Sequence, residues 1–397
     1  MRVLISGGGT GGHVYPALAV VQALRGKKQP SGHNHGAGLG LPAASGGNPI
    51  GAAAPLAQAS DRDETAVLYV GSEGGVEAQL VARANLPYRA IATGQLRGRA
   101  PWVIARNLLR MGKGTWQMHH LLGQFEADVC LVTGGYVSAP VVLAARQHQV
   151  PVMIYLPDIT PGLAVRALGL LAQRVAVSVP DSTRFFSGKA VVTGYPVRAE
   201  LFEVSRDDAR RQLGLEVGET TLLVMGGSHG ARSINRALVA NLDALLPLAQ
   251  IIHISGQLDW PWVRERALQL PSRLAARYRL FAYLHEEMPA ALAAADLVLA
   301  RAGASTLGEL PALGLPGLLV PYPYAGRHQQ VNAAYLAHHG AARILDDADL
   351  STRLLPELKV LLTNIEIRQR MAAAAKSLAR PQAALHIASE LRQLAGK

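Results

Sequence analysis

The chain has 397 residues, of which 49% are hydrophobic and 17% are charged, and its formal net charge is +11. This length suffices for two domains that each bury a core, and the composition, with few aromatic residues, favours alternating strands and helices over an all-β sandwich. A single cysteine, Cys130, excludes an internal disulfide and a thiolate zinc site. The positive charge predicts an anionic partner, which could be nucleic acid, a membrane leaflet or a phosphorylated substrate.

The N-terminus passes from Met1 directly into an apolar strand and a glycine loop, without the features of a secretory signal peptide. Apolar stretches such as 290–299 are too short to cross a bilayer and are interrupted by Asp296. We therefore expect a cytoplasmic protein that does not span a membrane.

Short β-branched segments recur along the chain, each followed by glycine or proline and then by a helical pattern. This βαβ rhythm predicts an α/β protein with two parallel, Rossmann-like sheets covered by helices. The predicted strands of the first sheet are 2–6, 66–70, 129–132, 152–155, 175–179 and 190–193. Those of the second sheet are 221–225, 251–255, 279–282, 297–300 and 317–320.

The boundary between the predicted domains lies at Gly194, Tyr195 and Pro196, where the first series of strands stops. We therefore predict an N-terminal domain at 1–196 and a second domain from residue 197. The segment 26–64 is rich in Gly, Pro, Ala, Ser and Asn without an apolar period, which indicates a flexible insertion.

A glycine-rich loop at residues 6–13 lies between a predicted strand and a predicted helix, and Gly7, Gly9 and Gly12 match G-x-G-x-x-G. Glycines at such a position let the backbone approach a diphosphate, whose charge is held by amides at the helix N-terminus. An NAD-binding domain would carry an acid about 20 residues further on, but none occurs between His13 and Asp61. We therefore expect a phosphorylated ligand other than NAD.

Two further glycine loops, at 133–140 and 225–231, also follow predicted strands and precede predicted helices. Three such loops indicate two phosphorylated ligands, although any one loop could be only a tight turn. The segment 301–306, with Glu309 one turn later, predicts a site for a nucleotide diphosphate together with 328–333. Alternatively, Glu309 is a first-turn acid that the helix dipole favours, and Gln329 is a solvated amide.

Seven ordered motifs resemble those of glycosyltransferase family 28, over nearly the whole chain outside 26–64. They are GGTGGHVYPALAV from Gly8, QLRG from Gln95, GGYVSAP from Gly134, TGYPVR from Thr193, GGSHGARSIN from Gly226, RAGASTLGE from Arg301 and HQQVNA from His328. The resemblance implies the GT-B fold, in which two Rossmann-like domains, here 1–196 and 197–380, face a central cleft. It also implies that a C-terminal helix at 381–397 packs back on the first domain.

The same resemblance implies inverting transfer of N-acetylglucosamine from UDP-N-acetylglucosamine to a lipid-linked diphosphate acceptor in peptidoglycan synthesis. That acceptor is undecaprenyl-diphosphoryl-N-acetylmuramoyl-pentapeptide (lipid I), and the product is lipid II. The implied donor-binding residues are Thr10, Arg198, Ser228, Ala304, Thr306, Glu309 and Gln329. The implied ligands of the acceptor diphosphate are Gly11, Gly12, Gly134, Gly135, Tyr136 and Ser138. Helix N-termini and amides can hold the charge of departing UDP, so we expect no metal and no cofactor.

The candidate general bases are His13 and Asp158. The chain departs from the family pattern after the fourth predicted strand, where residues 155–158 read Tyr-Leu-Pro-Asp instead of the usual His-Glu-Gln-Asn. Asp158 falls on the position of the family's asparagine, in a stretch that faces the cleft in the family. A smaller departure is His229, where the third glycine loop usually has glutamine.

Between Glu77 and Glu126 the chain has seven Lys or Arg residues and no acid. A helical projection groups apolar Trp102, Ala105, Leu109 and Trp116 beside basic Arg106, Arg110 and Lys113. Such a face is typical of a helix in an anionic headgroup interface, although a core-facing helix with a solvated basic flank would look the same. Gly112 and Gly114 predict that this helix ends before Trp116. No nucleic-acid motif accompanies the charge, so we expect peripheral association with the inner face of the cell membrane and no nucleic-acid partner.

Other functions remain compatible with the sequence. One is a family 28 glycosyltransferase that uses a different lipid or small-molecule acceptor, and another is a UDP-sugar 2-epimerase, which shares the fold. A third is a nucleotide-sugar binding protein without activity. An epimerase would convert the donor without any acceptor, whereas the binding protein would hold the donor without turnover.

Overall fold

The computed structural model of the protein describes residues 1–9, 11–26, 65–95, 100–227, 230–324 and 327–396. The predicted insertion at 26–64 lies outside the described residues except for Gly26. Thr10, Ser228 and His229 also lie outside them, as does most of the QLRG motif that begins at Gln95.

Within the described residues, seven parallel strands form the first sheet, in the order β3-β2-β1-β4-β5-β6-β7. They are β1 (Arg2–Ser6), β2 (Ala66–Ser72), β3 (Tyr88–Ile91), β4 (Val129–Val132), β5 (Val152–Leu156), β6 (Arg174–Val177) and β7 (Ala190–Val192). The helices of this half are α1 (Gly11–Leu24), α2 (Glu77–Arg83), α3 (Pro101–Phe125), α4 (Ser138–Gln147), α5 (Leu163–Gly169) and the 3₁₀ segment Pro180–Phe185. Because β1 pairs with both β2 and β4, the strand order reverses between β1 and β4.

The second sheet has six described parallel strands, in the order β10-β9-β8-β11-β12-β13. They are β8 (Thr221–Met225), β9 (Gln250–Ile254), β10 (Tyr278–Phe281), β11 (Leu297–Ala300), β12 (Gly317–Leu319) and β13 (Ala342–Ile344). The helices up to β11 are α6 (Arg206–Gln212), α7 (Arg232–Val239), α8 (Leu242–Leu245), α9 (Trp260–Leu268), α10 (Ser272–Ala275) and α11 (Met288–Ala294), with a 3₁₀ segment at Ala199–Phe202. Those after β11 are α12 (Thr306–Leu313), α13 (His328–His338), α14 (Leu350–Thr363), α15 (Ile365–Ser377) and α16 (Ala383–Leu394), with a 3₁₀ segment at Asp347–Asp349. Here the strand order reverses between β8 and β11.

Every predicted strand is present, with its ends shifted by no more than two residues, but β3 and β13 were not predicted. Both are edge strands that contain an arginine and are only partly buried. A short strand at the edge of a sheet needs no continuous apolar run, so the sequence pattern gives little sign of it.

Helix α3 runs without interruption from Pro101 to Phe125, so the prediction that Gly112 and Gly114 end it is wrong. Gly114 is buried, and a Cβ there would collide with the carbonyl oxygen of Ala92, so glycine lets α3 lie directly on the chain that follows β3. Packing of the buried face of α3 offsets the intrinsic cost of a helical glycine, which is about 1 kcal/mol. None of the described helices is both long enough and apolar enough to cross a bilayer.

The chain crosses between the two halves twice. The first crossing follows β7, and the second lies between α15 and α16, which returns to pack against α1. There Arg392 Nη2 donates to the carbonyl oxygen of Leu24 over 3.2 Å. A Cβ added at Gly194, in the first crossing, would lie 2.6 Å from Cβ of Arg380, in the second, so the two crossings touch.

Candidate functional site

A cavity of about 440 Å³ lies between the two sheets, within the range of about 300–1,000 Å³ that small-molecule sites occupy. Its lining comes from the segments that follow β1, β5, β8 and β11 and from the starts of α12 and α13. In open parallel sheets, ligands bind outside the carboxyl ends of the strands where the strand order reverses. The cavity therefore lies where the topology of both sheets directs a ligand.

The structure brings most of the predicted site residues together in this cavity. Its lining includes Gly11, Gly12, His13, Asp158, Arg198, Ala304, Thr306, Glu309 and Gln329. Four predicted residues of the second glycine loop do not line the cavity: Gly134, Gly135, Tyr136 and Ser138. Of these, Gly134 lies against the ring of His13. Thr10 and Ser228 lie outside the described residues.

The imidazole of His13 is held by the glycine loop that precedes it. Its Nδ1 lies 2.9 Å from the carbonyl oxygen of Gly8. A carbonyl oxygen only accepts, so Nδ1 carries the proton of the neutral ring and Nε2 keeps its lone pair. The backbone carbonyl of His13 accepts from Oγ1 of Thr133 over 2.7 Å. His13 is thus oriented to accept a proton at Nε2.

The second glycine loop packs directly on the first. The Gly8 amide donates to the carbonyl oxygen of Gly134 over 3.2 Å. Gly134 has a φ of +123°, and a Cβ there would lie 2.9 Å from Nε2 of His13, so only glycine fits beside the ring. At the start of α4, the hydroxyl of Ser138 is buried and has no hydrogen-bond partner among the described residues. Tyr136 is half exposed.

Asp158 lies where the first half of the chain meets the second. Its Oδ1 accepts from Nδ2 of Asn332, on α13, over 2.8 Å. The same Nδ2 donates to the carbonyl oxygen of Ala302 over 3.2 Å, and Oδ1 of Asn332 accepts from the Ile159 amide over 3.3 Å. Nearby, Oγ1 of Thr160 lies 3.0 Å from Nδ1 of His328. The segment after β5 is therefore joined to the start of α13 by several polar contacts.

Glu309 and Arg198 also line the cavity. Burial raises the pKa of the Glu309 carboxyl, whereas the Arg198 charge and a hydrogen bond from Ser305 act in the other direction. The guanidinium of Arg198 lies over the ring of Tyr15, with Cζ 4.7 Å from the ring centroid. Its Nε is buried without a hydrogen-bond partner among the described residues. A buried donor of this kind is costly unless it is satisfied, so a ligand oxygen or a water at this point would be stabilised.

Gln329 and Thr306 each have one polar group already engaged by the protein. Oε1 of Gln329 accepts from the Tyr322 amide over 2.9 Å, which leaves the side-chain NH₂ group to donate. Oγ1 of Thr306 donates to the carbonyl oxygen of Gly303 over 2.7 Å, in the turn before α12. Toward a ligand, Gln329 is therefore a donor, whereas the Thr306 oxygen is an acceptor.

Several residues that line the cavity were not predicted as site residues, and three of them are tyrosines. They include Tyr15, Tyr195, Tyr283, Arg301 and His328. Burial and the neighbouring Tyr15 raise the pKa of Tyr283 to about 12, so its hydroxyl stays protonated at neutral pH. Tyr195 and His328 belong to the motifs TGYPVR and HQQVNA, and membership of those motifs is the signal that could have identified them.

Two Rossmann-like sheets that face one cleft, with glycine loops where each strand order reverses, define the GT-B fold class. The chain matches the models of the glycosyltransferase family 28 N-terminal domain at residues 50–177 and the glycosyltransferase family 28 C-terminal domain at residues 221–387. The chain therefore belongs to glycosyltransferase family 28, and the predictions of the fold and the family are confirmed.

One relative is the UDP-N-acetylglucosamine--N-acetylmuramyl-(pentapeptide) pyrophosphoryl-undecaprenol N-acetylglucosamine transferase of Roseiflexus sp. (strain RS-1). It is 44% identical over 434 residues, which cover 99% of this chain and 95% of the relative. The crystal structure of Acinetobacter baumannii MurG has 25% identity and a TM-score of 0.68, and the match covers 99% of each chain. The UDP-GlcNAc 2-epimerase from Neisseria meningitidis, solved with UDP-GlcNAc, has 14% identity and a TM-score of 0.63 over 99% of this chain and 100% of that chain. This last likeness shows the fold alone.

Proposed function

We propose that this chain transfers N-acetylglucosamine from UDP-N-acetylglucosamine to undecaprenyl-diphosphoryl-N-acetylmuramoyl-pentapeptide, the reaction for which its relatives are named. The observation that carries the proposal is the composition of the cavity. The first half contributes His13, near the start of α1, and Asp158, in the segment after β5, while the second half contributes Glu309 and Gln329. A transferase has to bring two substrates to one point, and a cavity shared by two halves allows each half to hold one substrate.

The donor is assigned to the second half. The start of α12, at Ala304 and Thr306, would place the positive end of the helix dipole beside the diphosphate. The Glu309 carboxylate would accept from ribose hydroxyls, with Arg198 at the nucleotide end, and the free NH₂ group of Gln329 would donate to a sugar hydroxyl. Thr10 and Ser228 are proposed as donor ligands from the sequence motifs alone.

The acceptor diphosphate is assigned to the two glycine loops of the first half. The start of α1, at Gly11 and Gly12, lies in the cavity, and the second loop packs beside it. The proposed ligands in the second loop are Gly134, Gly135, Tyr136 and Ser138. The buried, unpartnered hydroxyl of Ser138 supports this role, because a phosphate oxygen would supply its missing acceptor.

In the proposed reaction, Nε2 of His13 removes the proton of an acceptor hydroxyl. The oxygen attacks the anomeric carbon of the donor while the bond from that carbon to the diphosphate breaks. UDP leaves with the bonding electrons, and its charge is held at the start of α12. A single displacement inverts the configuration at the anomeric carbon. Asp158 is the alternative base.

The proposal includes peripheral association with an anionic membrane surface on the cytoplasmic side. On α3, Trp102 is 74% exposed, Leu109 is 78% exposed and Trp116 is 64% exposed. Arg106 and Lys113 are exposed on the same helix. Large exposed apolar side chains beside bases suit a headgroup interface, where the apolar groups are buried and the bases meet anionic lipid.

The decisive experiment is incubation with radiolabelled UDP-N-acetylglucosamine, with and without lipid I, followed by separation of lipid-linked and free products. Label that enters lipid II only when lipid I is present supports the proposal. Epimerisation or hydrolysis of the donor without acceptor would favour the epimerase that shares the fold. Binding of the donor without any turnover would favour an inactive nucleotide-sugar binding protein.

A further inference from the structure

Glu77, the first residue of α2, is a fully buried carboxylate that has no place in the proposed donor and acceptor sites. Its Oε1 accepts from the Ser72 amide over 2.7 Å, and its Oε2 accepts from the Gly9 amide over 3.3 Å. Burying a charged carboxylate is costly unless its oxygens accept hydrogen bonds, and both oxygens of Glu77 do so. The side chain thus joins the end of β2 to the glycine loop after β1.

The glycine loop is shaped around this carboxylate. A Cβ added at Gly8 would lie 2.5 Å from Oε1 of Glu77, so the loop and the carboxylate are in direct contact. The carbonyl oxygen of Gly8 is the atom that accepts from Nδ1 of His13. On the other side of the loop, the Tyr69 hydroxyl donates to the carbonyl oxygen of Gly7 over 2.8 Å. Contact with Glu77 therefore determines where the Gly8 carbonyl oxygen lies.

We propose that Glu77 is a positioning residue for His13, and the inference rests on the proposed function. By fixing the Gly8–Gly9 segment, Glu77 keeps the Gly8 carbonyl aimed at Nδ1 of His13. That hydrogen bond selects the tautomer in which Nε2 has a lone pair. Glu77 touches neither substrate, and its effect on the reaction passes entirely through the loop and the imidazole.

Replacement of Glu77 by glutamine should disturb only one of the two hydrogen bonds that the carboxylate accepts. Glutamine has one acceptor oxygen where glutamate has two, and two backbone amides point at the side chain. The oxygen will keep the shorter bond to the Ser72 amide, so the NH₂ group will face the Gly9 amide, and two donors repel. The variant Glu77→Gln therefore releases the glycine loop at Gly9 while the anchor on β2 stays intact.

The experiment is a double-mutant cycle of Glu77→Gln and His13→Gln, measured with a soluble lipid I analogue and UDP-N-acetylglucosamine. We expect Glu77→Gln alone to lower kcat by about 10- to 100-fold, with KM for the donor unchanged, because the donor is held by the other half. In the His13→Gln background, the same change should lower kcat by less than about 2-fold. An equal loss in both backgrounds would show a merely structural role and overturn the inference.

A matched control is Glu73→Gln, in the same turn between β2 and α2, whose carboxylate is 43% exposed and pairs with Arg110. We expect this variant to keep wild-type kcat on the soluble acceptor. If Glu77→Gln does not fold, Glu77→Asp takes its place, because the shorter acid keeps its charge but cannot reach both amides.

The tautomer of His13 gives a readout that needs no turnover. Nitrogen-15 NMR of the histidine side chains should show His13 as the Nδ1–H tautomer in the wild type and a mixture of tautomers in Glu77→Gln. An unchanged spectrum in the variant would overturn the inference. Failure of the wild type to make lipid II would instead contradict the proposed function and leave the NMR result to decide the role of Glu77.

Discussion

Nδ2 of Asn332 donates to Oδ1 of Asp158 over 2.8 Å, and the two residues come from opposite sides of the cleft. The carboxylate oxygen only accepts, so this bond fixes which way the carboxamide of Asn332 points. Asn332 is fully buried. It also donates to the carbonyl oxygen of Ala302, in the second half, and accepts from the amide of Ile159, in the first half. Asp158 therefore forms part of the junction between the halves, whereas the contact with the Gly8 carbonyl occupies Nδ1 of His13 and leaves Nε2 with its lone pair.

The first prediction concerns the base. His13→Gln should lower kcat by about 100- to 10,000-fold with donor affinity unchanged, because general-base assistance is lost. Asp158→Asn should cost less than about 10-fold, since an amide oxygen can still accept from Asn332. The acidic limb of the pH–rate profile should disappear in the first variant and persist in the second. If the His13→Gln enzyme keeps more than about a tenth of wild-type turnover, His13 is not the general base and serves only to shape the loop or to bind phosphate.

The second prediction separates two donor contacts. Glu309→Ala should weaken the binding of UDP itself, by about 1.5–3 kcal/mol for hydrogen bonds to a charged group. Gln329→Ala should leave UDP affinity nearly intact and raise KM for the UDP-sugar, by about 0.5–1.5 kcal/mol in free energy. Calorimetry with UDP and steady-state kinetics with the UDP-sugar measure the two effects. Equal losses of UDP affinity in both variants would contradict the assigned roles.

The third prediction concerns the membrane surface. Charge reversal at Arg106, Arg110 and Lys113 should release the protein from anionic vesicles, at about 1 kcal/mol per charge, and leave turnover of a soluble acceptor intact. The matched control reverses three exposed arginines of the second half and should leave vesicle binding in place. The control residues are Arg236, Arg264 and Arg273. Undiminished vesicle binding by the α3 variant would remove this helix from the proposed interface.

The fourth prediction uses the two glycines of α3. Gly112 is exposed, and a Cβ there would meet nothing within 4 Å, so Gly112→Ala should stabilise the protein by about 0.5–1 kcal/mol. Gly114→Ala should destabilise it by about 1–3 kcal/mol, because the new methyl group would push α3 away from the Ala92 carbonyl. Urea unfolding measures both changes. Stabilisation by Gly114→Ala would mean that α3 does not pack on that carbonyl.

The fifth prediction concerns pH and the buried histidine of the second sheet. His253 lies 2.6 Å from the Tyr278 hydroxyl and 3.0 Å from Oδ1 of Asn235, and burial lowers the pKa of His253 to about 3. An unfolded histidine titrates near ~6.5, so between these values the unfolded chain binds more protons and the fold loses stability as the pH falls.

Between pH 7 and pH 5, the wild type should therefore lose about 2 kcal/mol more unfolding free energy than His253→Gln, whose side chain does not titrate. The exposed His386 provides the control, and His386→Gln should follow the wild-type pH dependence. Parallel curves for the wild type and His253→Gln would show that His253 does not contribute.

The sequence predicted those parts of the fold and the site that depend on local pattern. The first and third glycine loops follow β1 and β8, and each of these strands stands beside a reversal in strand order, so the convergence of these two loops on one cavity could be expected from βαβ topology. His13 and Glu309 lie in that cavity because each stands near the start of a helix that follows a strand beside a reversal in strand order, whereas Gln329 stands at the start of α13, which follows the neighbouring strand β12.

What the sequence did not predict depends on contacts between distant segments. Glu77 meets Gly9 across 68 positions, and Asn332 meets Asp158 across 174 positions. No spacing rule relates residues so far apart. The continuity of α3 was missed for the same reason, since the atom that favours glycine at position 114 is a backbone oxygen of another segment. Helix propensity describes an isolated helix, whereas contacts with other segments decide whether α3 continues through its glycines.

The contact between the two crossings at Gly194 and Arg380 has a mechanical consequence. Two covalent connections that ran far apart would hold the halves rigid against rotation, and a single connection would let them tumble independently. Two connections that touch leave one direction of easy movement, a rotation about the point where they meet. Opening of the cleft would thereby be coupled to bending at one place in the chain, beside Tyr195, which lines the cavity.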